Sequence, residues 1–174
     1  MLNGLLPQIE KADGVELVIH SHDCKTLGET RQSMIEQAKG EYVSFVDDDD
    51  VVSPRYVDAI YPLLDGVDYI GFHVETYGNG KPMGRAYHSL RYGAWYTNND
   101  GFYRDISHLN PIKRKLAARG QFVGQSGEDC HWADSMRSLG IVKTEHYIPE
   151  VMYYYYYRPN KNSSDYPGMY GEHS

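Results

Sequence analysis

Between residues 14 and 64 the chain alternates short β-rich apolar segments with capped helical segments, and one β-rich segment runs straight into four aspartates, Asp47-Asp48-Asp49-Asp50. Residues 15–20 predict a short strand, followed by a polar loop. Thr26, with Glu29 three positions on, has the spacing of a capping box, in which each satisfies a free backbone N–H of the other's end of the first turn. The helix it opens is expected to run through Met34 and Ile35 and stop at Gly40. Residues 41–46 predict a second strand; Ser53 and Pro54 have the order of a cap and first helical residue, with that helix ending near Asp65-Gly66. Strand, helix, strand, helix predicts a mostly parallel sheet flanked by crossover helices, a Rossmann-like α/β fold in one minimal domain.

The second half changes character. Residues 67–74 predict a strand, and Tyr77-Gly78-Asn79-Gly80 has hairpin-turn chemistry. Asn110 and Pro111 are expected to open a short basic helix ending at Gly120. Ser126-Gly127-Glu128-Asp129 is expected to open a longer one, reaching Leu139 with Gly140 behind it. Residues 141–147 and 151–157 predict two strands, and residues 159–174 a loosely ordered tail rich in Asn, Ser, Pro and Gly.

At 174 residues the chain is long enough to bury a substantial core. No apolar run approaches the roughly 20 residues of a membrane helix. The opening residues lack the basic-then-apolar order of a signal peptide, which sets a cytoplasmic expectation, in a bacterial or phage-infected cell. Cys24 and Cys130 lack metal-type spacing and predict two reduced thiols. A formal net charge of −7 argues against a partner bound through its phosphate backbone, so no nucleic acid is expected. A small diphosphate is still compatible with it, given a divalent cation and one or two arginines. Tyrosine is abundant, 17 residues against four Phe, which suits either sugar-binding walls or a tyrosine-rich core and rim.

Ligands of open parallel sheets bind beyond the carboxyl ends of the strands, where Asp47 to Asp50 are expected. Adjacent carboxylates repel, so some must protonate or share a cation. Hard oxygen ligands suit Mg²⁺ or Mn²⁺, ions that keep positions open for substrate phosphates. The competing explanation is an acidic turn before a helix, favoured by the helix dipole, although four acids exceed what a cap requires.

The run Thr26-Leu-Gly-Glu-Thr-Arg-Gln32, then Ala38-Lys-Gly-Glu-Tyr-Val-Ser-Phe-Val-Asp-Asp-Asp-Asp50, resembles the family 2 glycosyltransferases of the GT-A fold. Gln32 stands where the family usually has Asn. The resemblance implies a nucleotide-sugar donor, most often a UDP-sugar, held by Asp23, Gly28, Arg31, Asp47 and Asp48. It implies Asp49 as metal ligand, Asp47 against the metal or the ribose, and Mn²⁺ or Mg²⁺ as cofactor. Arg31 alone reads equally as a solvated helix residue. Lys113, Arg114 and Lys115 suit an anionic acceptor or a solvated basic face.

The segment Ser126-Gly-Glu-Asp-Cys-His-Trp132 resembles the family's Glu-Asp pair at a helix start. An inverting transfer needs a carboxylate to accept the acceptor hydroxyl's proton, and the resemblance gives that role to Asp129. It sets Glu128, Trp132 and, less directly, His131 against the sugar or acceptor. Asp129 also has the spacing of a capping-box acid for Ser126. Members often place a histidine near the closing aromatic strand to complete the metal shell; the nearest here is His146.

The resemblance spans residues 15–158 and lacks the family's opening strand and its base-holding loop. Residues 1–158 are thus expected to form a GT-A-like domain without that strand, with an exposed edge open to self-association as a homo-oligomer. The implied acceptor is a hydroxyl on a glycan, a lipid-linked sugar or a protein. Two rival functions are a nucleotidyltransferase, which would show an early Gly-rich basic loop, and a catalytically silent nucleotide- or carbohydrate-binding module.

Overall fold

The computed structural model describes residues 2–20 and 26–157. Asp23 and Cys24, with the tail 159–174, lie outside the described residues.

Helix α1 (Leu2–Ile9) packs beside α3 (Tyr56–Ile60), and one side chain explains the junction. Gln8 is buried; its Nε2 donates to Ser53 O at 3.0 Å while its Oε1 accepts from Val57 N at 3.0 Å. An amide from α1 thus satisfies a first-turn N–H of α3, where the N-cap residue Arg55 makes no side-chain cap. Ser53 contributes more weakly, its Oγ accepting from Arg55 N at 3.3 Å. Helix α2 (Leu27–Gln37) begins as the sequence predicts: Thr26 Oγ1 accepts from Glu29 N at 3.2 Å and Glu29 Oε2 accepts from Thr26 N at 2.9 Å.

The strands are β1 (Tyr42–Val43), β2 (Val51–Val52), β3 (Tyr69–Gly78), β4 (Lys81–His88), β5 (Tyr96–Asn98), β6 (Gly101–Arg104), β7 (Ile112–Lys113) and β8 (Glu145–Tyr157). They form one sheet in the order β1-β7-β3-β4-β6-β5, with β8 on the other edge of β3 and β2 beside β8. Only β3/β8 and β4/β6 pair in parallel among the described residues, so the sheet is mixed rather than mostly parallel. The predicted strand at 15–20 takes no regular structure and joins no ladder among the described residues; Glu16 ties it down by accepting from Lys39 N at 2.5 Å and Gly40 N at 2.8 Å. The two strands predicted at 141–147 and 151–157 are one strand, β8, whose register against β3 slips at Pro149-Glu150. Pro149 has no N–H to give to a ladder, and a bulge accommodates it. The turn Asn79-Gly80 joins β3 to β4 with φ of 51° and 75°, the left-handed pair that a two-residue hairpin needs.

Alternation along β3 divides the interior into two cores. Ile70, Phe72 and Val74 face one, with Leu5, Val57 and Ile60 from α1 and α3. Tyr69 faces the other, with Ile35 from α2, Phe45, and Trp132, Ala133 and Met136 from α5 (Glu128–Leu139). Helix α4 is only Arg114–Ala117, starting three residues after Pro111 because Ile112 and Lys113 are used as a strand. Among the described residues no helix is long and apolar enough to cross a membrane.

Candidate functional site

The acidic run is a tight turn. Asp50 N donates to Asp47 O at 3.2 Å, leaving Asp48 and Asp49 exposed at the tip. The outer pair are thereby turned into the protein, and each meets a different environment.

Asp47 faces Arg31. The Arg31 Nη2 donates to Asp47 Oδ1 at 2.9 Å and its Nε donates to Glu128 Oε1 at 3.0 Å. The guanidinium lies 5.2 Å from the Phe45 ring centroid, over its face. Arg31 and Glu128 are both buried, so one cation joins the acidic turn to the first residue of α5. Burial opposes the charge on Arg31, yet Asp47 and Glu128 outweigh it and raise the guanidinium above its ordinary value. Burial likewise opposes ionisation of Asp47, but His108 and Arg31 prevail and hold its carboxyl well below the usual carboxylate range.

Asp50 is fully buried, and burial pushes its carboxyl up to about 7. Two donors partly resist the shift: Tyr153 Oη at 2.7 Å to Oδ2, and Tyr156 N at 2.7 Å to Oδ1. Tyr153 Oη also accepts from Asp47 N at 3.0 Å, so one buried tyrosine of β8 holds both ends of the turn. The four aspartates therefore separate into an ionised, arginine-paired end, an exposed tip, and a proton-retaining end.

At the second acidic segment neither half of the capping box forms. The N-cap of α5 is Gly127 at φ 70°, without a side-chain cap, and Asp129 Oδ1 accepts from Cys130 N at 2.8 Å. Asp129 is half-buried, next to the anchored Glu128. His131 is exposed on the helix. Trp132 is placed in the core instead of on a pocket wall: 1 % exposed, stacked on Phe122 at 5.2 Å, with Nε1 donating to Ala117 O at 3.2 Å.

Gly28 packs against loop 122–124. Its N donates to Gly124 O at 2.9 Å, and a Cβ there would sit 3.0 Å from Gly124 O and from Phe122 C and O. Its smallness thus serves a close helix–loop approach. His146 is not brought to the turn: it is exposed and paired with Ile70, seven residues before Tyr153 on β8. At a strand's rise per residue that separation is roughly 20 Å. A cleft of about 400 Å³ lined by Gln32, Arg119 and Phe122, among others, borders the site through Phe122 and contains none of its carboxylates. Tyr153 and His108 lie in segments, 152–158 and 108–114, that resemble the family's, but the sequence assigns neither a role of its own. The signal for Tyr153 was there in the tyrosine run, whose alternation must turn some rings inward.

The model of "Glycosyl transferase family 2" matches residues 6–128, well over half of the chain. The chain belongs to glycosyl transferase family 2. Its fold is the GT-A fold, as the solved structures it resembles bear out. S. aureus TarS 1-349 superposes with a TM-score of 0.54 at 17% identity, over 79% of this chain and 42% of that one. The same protein in complex with UDP-GlcNAc gives 0.55 at 20% identity, over 81% and 42%. Its complex with UDP gives 0.52 at 18% identity, over 77% and 41%. This chain thus spans about two-fifths of each of these three TarS structures. No curated protein sequence matches it significantly.

Proposed function

We propose that this family 2 domain transfers a sugar, with inversion, from a UDP-sugar to an acceptor hydroxyl on a glycan, lipid-linked sugar or protein, in a cytoplasmic setting. The observation that carries the proposal is the bridge through Arg31, which ties the turn bearing Asp47 to the helix start bearing Asp129. Donor and base functions placed on those two segments would share one rigid support. The TarS complexes with UDP-GlcNAc and UDP support a nucleotide-sugar donor on this fold.

The residues fit a divalent ion of the open kind. Among the described residues no group of three acids, histidines or cysteines forms a closed cage. Mg²⁺ and Mn²⁺ need none, since one or two carboxylates plus phosphate oxygens and waters suffice. Asp49, exposed at the turn tip, would hold the ion, with the Asp47 carboxylate beside it. Bound there, the ion would neutralise the leaving diphosphate. Asp129 accepts the acceptor's proton, and Arg31 keeps Asp47 ionised.

The test is release of UDP from a panel of UDP-sugars with and without Mn²⁺. Wild type is expected to turn over at least one donor only with metal, and Asp49→Ala to lose that dependence together with the activity. Asp129→Asn is expected to lower transfer by about 10²–10⁴-fold while donor binding is retained. An unaffected Asp129→Asn would remove the base assignment. Metal-independent silence toward every donor would favour the binding module.

A further inference from the structure

His108 is 6 % exposed, and neither Nδ1 nor Nε2 has a hydrogen-bond partner among the described residues. Its ring lies against Phe45, with centroids 5.9 Å apart, and against Phe122 at 6.4 Å. A buried imidazole with both nitrogens unpaired between two phenyl rings is an expensive way to fill space, because a phenylalanine would fill it without desolvating polar atoms. One acceptor stands nearby: Asp47 Oδ2, 3.8 Å from His108 Nε2, inside ion-pair range and outside hydrogen-bond range. The other oxygen of that carboxylate is already taken by Arg31. The backbone of His108 is also fixed to the segment leading into the turn, since Phe45 N donates to His108 O at 3.0 Å.

We propose that His108 is a positioning residue for donor binding: its Nε2–H closes onto Asp47 Oδ2 when the donor engages the acidic turn, so that Asp47 is held on both oxygens. Hydrogen bonds at such sites are commonly long before ligand binds and tighten in the complex. An Nε2–H is a donor whichever charge the ring carries, so closure needs no change of charge. With Oδ1 on Arg31 and Oδ2 on His108, the carboxylate cannot rotate, and its remaining lone pairs point in fixed directions. The proposal rests on the donor-binding function given above.

Two variants separate this role from packing. His108→Phe keeps the contacts with Phe45 and Phe122 and deletes the donor; His108→Gln restores an N–H at about the depth of Nε2. Binding of UDP in Mn²⁺, measured by calorimetry, is expected to weaken about tenfold in His108→Phe and to return within about threefold of wild type in His108→Gln. Both variants should melt close to wild type. Equal UDP affinity in wild type and His108→Phe would overturn the proposal. A second readout needs no ligand: ¹⁵N-resolved NMR of the imidazole should show the Nε2–H tautomer, with a resonance that moves in Asp47→Asn. Wild type that binds no UDP but shows this coupling would refute the donor function while upholding the His108–Asp47 pair. An Nδ1–H tautomer indifferent to Asp47→Asn would sink the pair itself.

Discussion

A single buried side chain, Arg31, holds the candidate site together, and its sequence context could not reveal that. On a helix surface an arginine is usually solvated; here the first turn of α2 is pressed against loop 122–124, which turns Arg31 inward onto two carboxylates. Such a cation is held by its partners as much as it holds them. Arg31→Met would strand Glu128, 5 % exposed, without a counter-charge, and is expected to cost about 3–5 kcal/mol of stability. Adding Glu128→Leu should recover much of that loss, because the stranded charge is removed as well. Urea unfolding of the two single variants and the double variant measures the coupling, and strictly additive losses would show that the bridge is not structural. The aspartate run was more legible. Four adjacent carboxylates had to differ in protonation, and burial selects Asp50 as the one that keeps its proton longest. Which of the four it would be depends on burial against β8, a hundred residues away in the chain, where Tyr153 and Tyr156 reach Asp50.

At the level of elements, local chemistry was readable wherever it was locally satisfied. The capping box at Thr26, the Asn79-Gly80 turn and the Gly140 terminus of α5 all form from residues within four positions of one another. The sequence misleads where a partner from elsewhere takes over. Gln8 caps α3 in place of the cap expected from Ser53, and β7 claims residues expected to be helical. The segment 15–20 finds a side-chain tether instead of a ladder among the described residues. Gly28 shows the same dependence, since its glycine is required by loop 122–124 and not by the helix it belongs to. Gly28→Ala would ordinarily favour a helix. Here the added methyl meets backbone atoms at 3.0 Å, which cannot swing aside as a flexible side chain would. The expected result is a net loss on the order of 1 kcal/mol, the overpacking strain exceeding the helix gain. The loop leads directly into α5, so the chemical shifts of residues 126–130 should move too. A more stable variant with an undisturbed α5 start would mean that the loop yields freely.

For the molecule as a whole, the α/β class was legible, whereas the mixed sheet was not, and the strand expected over 41–46 shrinks to Tyr42–Val43, three residues short of the acidic turn: strand direction and extent are decided by which distant segments meet. The same long-range packing sets how the domain responds to acid. Two buried groups act in opposite senses. Burial pushes Asp50 from its ordinary 3.8 up to about 7, so between those values the folded chain keeps a proton that the unfolded chain has released. Asp50 therefore contributes stability that is full below about pH 4 and fades as pH rises through 7. Burial pushes His88 from 6.5 down to about 3, against the opposing effect of its 2.6 Å contact with Asn110 Oδ1. Over that window the unfolded chain holds the extra proton, so the His88 contribution is full above 6.5 and is lost as pH falls toward 3. From about pH 4 to 6.5 the two slopes cancel, and in chelator-containing buffer the melting temperature of wild type should change little on their account. Asp50→Asn removes one slope and leaves the other. One uncompensated proton is worth roughly 1.4 kcal/mol per pH unit, or about 3 °C for a domain of this size. The variant should therefore become steadily less stable relative to wild type as the pH is lowered from 6.5 to 4. Parallel melting curves for the two proteins across that range would show that Asp50 ionises normally in the fold.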